Sequence, residues 1–462
     1  MIKKKLFYVV VLFIIFSSFV HPQSISKTNF SGVVGSGARA FGMGGAFIAI
    51  ADDATAASWN PGGLGQLENI EFSFVIQNHT YSSIFPAKSS GENFFLGPQD
   101  FSGNSFSFDF ASITFPFRIG GFKIVPQVSY QRGISFDVNN TLNNVLYRTK
   151  NTDTITKRTT YFNGSFTYSD DFSGGFDMLS VSLGTKVLKG VNLGFSMNFW
   201  MNGYDGSQQY SITGVRTVEN TQIQQDVDID YETEKAFDIK GVNFNGGVLI
   251  EILENFKVGA VYKSAFDADI TYTNLARGEA LSGAFYNIPG REVIFSGTTT
   301  LRWPDTYGVG IAFAPIDPLT FSMDYTRTNW SDSILKNFND AESDELSVDV
   351  YFPTMTRVTS DSTSKQLDTE QIRFGIEYVY ISDEVLIPFR LGMFSDSQYY
   401  KDASGDKITF MGLTAGLGIK WGPVAVDFAM LYESGSYLET NASFSATNFS
   451  ELKLYLSTIL SL

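Results

Sequence analysis

From Ile70 to Leu462 the chain repeatedly sets bulky apolar residues against small or polar ones at alternate positions. Val191, Leu193, Phe195, Met197, Phe199 and Met201 alternate with Asn192, Gly194, Ser196, Asn198 and a bulky Trp200. Ile372, Phe374, Ile376, Tyr378 and Tyr380 alternate with Arg373, Gly375, Glu377 and Val379. Met411 to Ile419 repeats the pattern with Gly412, Thr414, Gly416 and Gly418 on the second face, and Leu452, Leu454, Leu456, Leu460 and Leu462 share one face of the last segment. A period of two is the signature of a β-strand. A soluble sandwich alternates as well, but its inner face is a packed core and rarely carries so much glycine and small polar residue. No segment behind the N-terminal leader offers the ~18 consecutive apolar residues of a membrane helix. A strand can cross lipid only in a closed barrel, where every backbone group is paired.

Six tight connections divide the alternating runs: Phe117 to Gly121, Leu188-Lys189-Gly190, Leu253-Glu254-Asn255, Pro315-Ile316-Asp317-Pro318, Ser382-Asp383-Glu384 and Trp421-Gly422-Pro423. Each carries turn chemistry. Six hairpins supply twelve strands, Ile70 to Thr80 adds a first and Leu452 to Leu462 a last. The expectation is all-β: a fourteen-stranded antiparallel transmembrane barrel with both ends on the periplasmic side, an even number as in single-chain bacterial barrels. Thr159 to Ser169 also reads as a strand, and parity assigns it to an extension of an outer loop.

Lys3, Lys4 and Lys5 precede an apolar run from Leu6 to Phe16, so residues 1–23 read as a cleaved signal peptide, too short in its apolar part for a spanning helix. The 462 residues include 43 Phe, 22 Tyr and 42 Gly but only 18% charged residues, a balance that fits lipid-facing strands with a small-sided lumen. Cysteine is absent, which removes disulfides and thiolate metal sites and leaves sheet closure to hold the fold. The formal charge of −15 argues against nucleic acid as a partner. Acid concentrates in Asp226 to Asp238 and Asp340 to Asp349, read as solvated loops that also offer carboxylates for divalent-ion bridges to lipopolysaccharide.

Between leader and first strand lies Gly35 to Leu64, GSGARAFGMGGAFIAIADDATAASWNPGGL. Its side chains are mostly Gly and Ala with single aromatics, and Asn60-Pro61-Gly62-Gly63 forces a turn. This is the composition of a compact plug whose backbone must pack in a confined space. Gly35 to Ala40 also fits a G-x-G-x-x-A dinucleotide fingerprint, but that motif needs a preceding strand, and here a leader and polar spacer precede it. The segment resembles the N-terminal hatch of FadL-type outer-membrane transporters of fatty acids and aromatic hydrocarbons. The resemblance rests on Gly37 to Ala40, on Ala49-Ile50-Ala51-Asp52-Asp53-Ala54 and on the turn Asn60 to Leu64, with Gly62 where many members carry Ala. It extends to Leu301-Arg302-Trp303-Pro304-Asp305 leading toward Trp330, and to Arg373 to Tyr378 paired with Pro388 to Gly392. It implies a fourteen-stranded barrel, residues 24–69 as the hatch and 70–462 as the barrel with long outer loops.

With only His21 and His79, a His-based triad or multi-His metal site is not available. Asp52-Asp53 reads as a cap on a short helix through Ala57, and Asp170-Asp171 as part of a polar loop. No catalytic residue, metal or cofactor is expected. The hatch or gate residues are Arg39, Phe41, Phe47, Asp52, Asp53, Trp59, Asn60, Pro61 and Gly62. Ile84, Phe85, Phe94, Phe95 and Leu96, in the first outer loop, either pack against neighbouring loops or capture an apolar ligand. Tyr204, Trp303 and Trp330 read as membrane-interface girdle. Pro126 lies inside the third strand, Phe122 to Ser135, where it removes a ladder hydrogen bond. It reads as a strand-end bulge or, as the resemblance implies, as a lateral exit; Pro304 and Pro388 also fall in strand-like runs.

The function these readings support is passive uptake of long-chain fatty acids or other hydrophobic compounds across the bacterial outer membrane, by a monomer, through a lumen pocket and a lateral exit. The alternatives are a PorV-like shuttle or assembly factor of a secretion system, and a general diffusion porin, which a plugged lumen argues against.

Overall fold

The computed structural model describes residues 35–85, 89–90, 93–95, 99–135, 138–152, 159–204, 208–220, 228–278, 293–340, 350–351, 357–358, 362–363, 367–402, 405–438 and 446–462. The leader, the first part of the hatch, Leu96 and most of Asp340 to Asp349 lie outside them.

The wall is a closed antiparallel barrel of fourteen strands. These are β1 Glu71–Phe85, β2 Gln99–Thr114 with its continuation Phe117–Ile119, β3 Phe122–Ser135, β4 Gly175–Leu188, β5 Val191–Asn202, β6 Asp228–Leu253 and β7 Phe256–Lys263. There follow β8 Thr306–Ile316, β9 Leu319–Thr328, β10 Thr369–Ile381, β11 Leu386–Lys401, β12 Lys407–Trp421, β13 Val424–Leu438 and β14 Ala446–Ser461. Neighbours in sequence are neighbours in space, and β1 pairs β14 from Glu71↔Ser461 to Ile84↔Asn448 to close the ring. All six tight connections fall between consecutive strands at one end of the barrel. Closure leaves no sheet edge toward lipid.

Side chains follow the period of two. In β10, Ile372, Phe374, Ile376 and Tyr378 point outward while Arg373, Gly375 and Glu377 are buried inside. Phe117, Phe122, Tyr380 and Trp421 ring the tight-turn end on the outer surface, where amphipathic rings suit a membrane interface.

At the other end the sheet outgrows the barrel. β6 has 26 residues, about 85 Å at ~3.3 Å per residue, far more than a ~30 Å hydrocarbon layer requires. Its first half pairs with Gln208–Asn220 and Phe266–Gly278, which belong to an outer sheet with Val138–Thr152, Thr159–Ser173, Val293–Trp303 and Ile334–Asp340. Thr159 to Ser169 is therefore an extension, as parity required. Asp170-Asp171 and Asp228 to Asp238 are strand residues of this sheet, not loop: backbone pairing to neighbouring extensions overrides their polarity. Pro304 lies between strands, joining Trp303 to β8.

The hatch fills the tight-turn half of the lumen. Two short helices, α1 Ala38–Gly42 and α2 Ala56–Trp59, and a 3-10 turn Pro61–Gln66 hold its mostly buried small residues. It fits because the wall facing it is glycine. A Cβ on Gly194 would overlap the Pro61 carbonyl, one on Gly392 the Gly44 backbone, and one on Gly247 the Asn60 amide and the Pro61 ring. Here backbone touches backbone.

Gly246 and Gly247 point to opposite faces of β6, and a Cβ on Gly246 meets open space. Gly247→Val is expected to displace the hatch and raise single-channel conductance in a planar bilayer several-fold. Gly246→Val should leave conductance unchanged, valine being the better strand residue. Equal conductance of both variants would mean the hatch does not depend on close approach to the wall.

Candidate functional site

The hatch is locked to the wall by charge. Arg39, on α1, donates to Glu377 of β10 from Nε at 3.0 Å and from a terminal nitrogen at 2.9 Å. Its other terminal nitrogen meets Asp52 at 2.5 Å and lies 3.7 Å from Asp53. Glu377 also accepts from Arg390 of β11 at 2.6 Å, and Arg390 in turn pairs with Asp427 of β13 at 2.6 Å. One arginine from the hatch thus completes a charge ladder across the wall. Asp53 does not cap the helix as expected. Its carboxylate accepts from the backbone and hydroxyl of Thr55, the residue just before α2, and burial pushes its pKa up despite the nearby Arg39. Glu68, where the hatch meets the tight-turn rim, is held below its ordinary value by the hydrogen bond from Lys123.

Wall side chains also satisfy hatch backbone. The Asp324 carboxylate accepts from the amides of Phe47 and Ile48 at 2.7 and 2.8 Å. Thr414 accepts from Gly44 and donates to Gly42, and Ser112 and Gln127 both donate to the Ala54 carbonyl. Asn60, fully buried, accepts from Gly62 to start the 3-10 turn and donates to Val248 of β6. Phe41 stacks on Tyr455, and Phe41 and Phe47 both meet Trp59 edge-on. Seven of the nine gate residues named from the sequence are buried, and the partly exposed Arg39 and Asp52 join them in one packed unit; Pro61 and Gly62 lie against the backbone of β5 and β6.

Above the hatch the lumen holds a second apolar cluster. Trp200, Phe266, Trp303, Trp330 and Tyr399 form a chain of rings, with successive centroids 5.2–6.0 Å apart. Trp303 and Trp330 are 6% and 2% exposed, which overturns the girdle reading: they lie where barrel strands give way to the outer sheet, and that handover turns their side chains inward. Only Tyr204, 58% exposed, is outside. Under the rings is a recess of about 680 Å³, open mouth included, floored by Ala57 and Ser58 of the hatch. Its opposite wall is polar. Asn243 accepts from both Asn198 and Trp200, at 3.1 and 3.0 Å, and Lys263 projects beside it.

The barrel wall itself has a gap. The β2–β3 ladder runs from Thr114↔Gln127 to Phe110↔Gln131 and stops, although both strands continue. The β3–β4 register shifts just there, between Arg132 and Ile134. The freed Phe108 amide donates instead to the Tyr204 hydroxyl at 3.2 Å. Tyr204 is pinned by its own amide to Asp177, and Arg132, ion-paired to Asp177 at 3.0 Å, lies 4.6 Å over its ring. Pro126 is lower in β3. The β3–β4 ladder passes through it as Pro126↔Leu183, while β2 is interrupted opposite it at Phe115-Pro116. Pro388 lies within β11.

Of the residues named for capture, Ile84 and Phe85 end β1 rather than lying in a loop. Phe94 and Phe95 form a short strand paired to Arg148 and Tyr147 of the outer sheet. Among the described residues, no group of three or more His, Asp or Glu is placed to hold a metal.

If Arg39 is the lock, Arg39→Met should loosen the hatch without unfolding the barrel. Removing one partner of a buried pair costs about 3 kcal/mol, or ~100-fold in an opening equilibrium. The Phe47 and Ile48 amides should then exchange hydrogen ~100-fold faster, with β12 to β14 amides unchanged. Unchanged exchange at Phe47 and Ile48 would show that the glycine contacts hold the hatch unaided.

The model of the outer membrane protein transport protein family (OMPP1/FadL/TodX) matches residues 23–386. Among solved structures the chain is similar to the CymD monoaromatic hydrocarbon channel, at 16% identity and TM-score 0.54, covering 93% of this chain and 98% of that one. It is similar to the Ralstonia pickettii toluene transporter TbuX at 15% identity and TM-score 0.53, covering 93% and 99%. A Pseudomonas aeruginosa FadL homologue gives 13% identity and TM-score 0.53 over 92% and 98%. No curated protein sequence matches the chain. At these identities the structures establish a shared fold, and the family match, over well more than half of the chain, establishes kinship: the protein belongs to the FadL/TodX family of outer-membrane transport proteins.

Proposed function

We propose that this barrel passively takes up hydrophobic small molecules, fatty acids or aromatic hydrocarbons, from the cell exterior, and releases them sideways into the bilayer. The observation that carries the reading is the pairing of an aromatic recess with a gap in the wall, above a hatch that closes the straight path. A hydrophobic molecule gains by leaving water for the rings of Trp200, Trp303 and Trp330, and gains again by entering lipid. It has nothing to gain from crossing the hatch into aqueous periplasm. Two of the solved structures that the chain resembles, a monoaromatic hydrocarbon channel and a toluene transporter, agree with that chemistry.

In this reading the lateral exit is in β3, at the Gln131 to Ser135 end rather than at Pro126, and Tyr204 closes it. The Tyr204 ring lies edge-on to Phe108 and tilted to Tyr130, under the Arg132 guanidinium, and can swing without breaking a strand pair. Apolar outer residues, Phe94 and Phe95 among them, serve first capture.

The test is uptake of radiolabelled toluene and oleate by cells with and without the protein at matched surface abundance. The wild type should accelerate uptake, and Trp303→Ala should lower it about tenfold, the effect of losing an aromatic contact of ~1.4 kcal/mol. Tyr204→Ala should raise hydrophobic uptake while leaving permeability to a small sugar unchanged, because the opening leads to lipid. No acceleration by the wild type would end the transport reading. Sugar leakage through the Tyr204→Ala protein would move the exit elsewhere.

A further inference from the structure

We infer that the recess takes an aromatic molecule carrying a neutral acceptor oxygen, an aryl ketone or aldehyde, in preference to the matching hydrocarbon. The inference deepens the proposed route and rests on the recess being its lumen stop. It comes from a row of side-chain amides on the polar side. Ser180 of β4, Asn198 of β5 and Asn243 of β6 lie opposite one another in register. Asn245 follows Asn243 on the same face of β6. All four line the recess and all are buried.

The Trp200 indole sets the direction of the bonds in this row. An indole nitrogen only donates, so the Asn243 atom 3.0 Å from it is the carbonyl oxygen. That oxygen also accepts from Asn198 at 3.1 Å, which leaves the Asn198 oxygen to accept from Ser180 at 2.7 Å. The Asn243 nitrogen is thereby turned toward Asn245, whose oxygen accepts from it at 3.3 Å. Three amides carry six N–H bonds and six oxygen lone pairs. Among the described residues four of the lone pairs are engaged but only two of the N–H bonds, so the row is short of acceptors. Its open end is the Asn245 nitrogen, which donates to none of the described residues and is not enclosed.

The facing side is flat. Trp200 and Phe266 stack with centroids 5.4 Å apart and interplanar angle 21°, and Phe266 and Trp303 at 6.0 Å and 23°. Near-parallel rings favour an aromatic ligand beyond the area it buries. A plain hydrocarbon bound there covers the amide donors without replacing their water. An aryl ketone lays its ring on the same faces and accepts from Asn245 with its oxygen.

Isothermal titration of the purified full-length protein with acetophenone and α-methylstyrene tests this, because the two probes differ in C=O against C=CH2. Each variant is compared with the wild type for the same probe, so partition into detergent cancels, and Lys263 is unchanged throughout. Asn245→Leu should weaken acetophenone about fivefold, the size of one neutral hydrogen bond, and leave α-methylstyrene binding as it was, which also shows that the recess is folded. Asn243→Asp keeps an acceptor for Trp200 and Asn198 but offers Asn245 no donor. The Asn245 amide then turns its N–H bonds to the introduced carboxylate, and acetophenone should weaken by the same factor with α-methylstyrene unchanged. Acetophenone binding that survives Asn245→Leu, or equal loss of both probes, would overturn the inference. Acetophenone binding that survives Asn243→Asp would overturn the part played by the row. Wild-type protein that binds neither probe but speeds toluene uptake refutes the donor site and leaves the route standing. Acetophenone binding that depends on Asn245, in a protein giving no hydrophobic uptake, supports the site and refutes the route.

Discussion

Everything in this barrel follows from backbone-to-backbone contact between hatch and wall. A plug of thirty-odd residues cannot sit inside fourteen strands unless the inward positions facing it have no side chain, and Gly194, Gly247 and Gly392 meet that condition. Once the backbones touch, the hatch amides and carbonyls lose water and need partners. Asp324, Thr414, Ser112, Gln127 and Arg373 provide them from the wall. The lumen face is therefore glycine where it touches and polar where it bonds, and the apolar residues are left for the outer face. The low-charge, glycine- and aromatic-rich composition is the statistical trace of that division.

A filled lower lumen dictates what the upper lumen can be. With the straight path closed, the aromatic rings from Trp200 to Trp330 roof a recess whose floor is the hatch itself. α2 has two faces: Trp59 anchors the plug, donating to the Ser36 carbonyl at 2.8 Å, while Ala57 and Ser58 form the recess floor. A shift of the hatch is thus a change of recess shape. The hatch also touches the wall strand that borders the gap, since the Ser36 hydroxyl donates to Asp109, the residue next to the last β2 pair at Phe110. Plug, recess and gap share residues, which is the physical condition for coupling among them.

Much of this was legible in the sequence because it rests on local rules. Period-two alternation, turn residues and parity gave the fourteen strands, and small-residue composition with Asn60-Pro61 gave the hatch. The failures are equally physical. Asp170-Asp171 and Asp228 to Asp238 are polar, yet they are strand, because ladder pairing with neighbouring extensions holds them extended and no local pattern records those distant partners. Trp303 and Trp330 lie at strand ends, and position alone cannot tell a ring turned toward lipid from one turned inward. Trp200 did carry the signal: in Val191 to Met201 it occupies the small, inward register, a bulky aromatic on a face otherwise of Asn, Gly and Ser. Tyr204 was out of reach, since its role depends on a ladder between two other strands ending early.

That early end of the β2–β3 ladder is the least expected feature of the wall, and it coincides with two others. Inward of β3, Gly133 lies against the Trp200 ring and the Phe176 carbonyl, so close that a Cβ would clash. The aromatic cluster and the β3–β4 register shift beside Gly133 therefore meet at the level where the β2–β3 ladder ends. An open gap in lipid would leave amides unsatisfied at several kcal/mol each. The chain closes it with side chains instead: Tyr204 accepts from Phe108, while Asp177 holds both Tyr204 and Tyr130. A ladder is a cooperative structure that opens only by unpairing many residues. A patch held by one tyrosine and one ion pair has no such ladder to unpair. The aromatic recess thus lies beside a stretch of wall that is held by side chains rather than by a ladder.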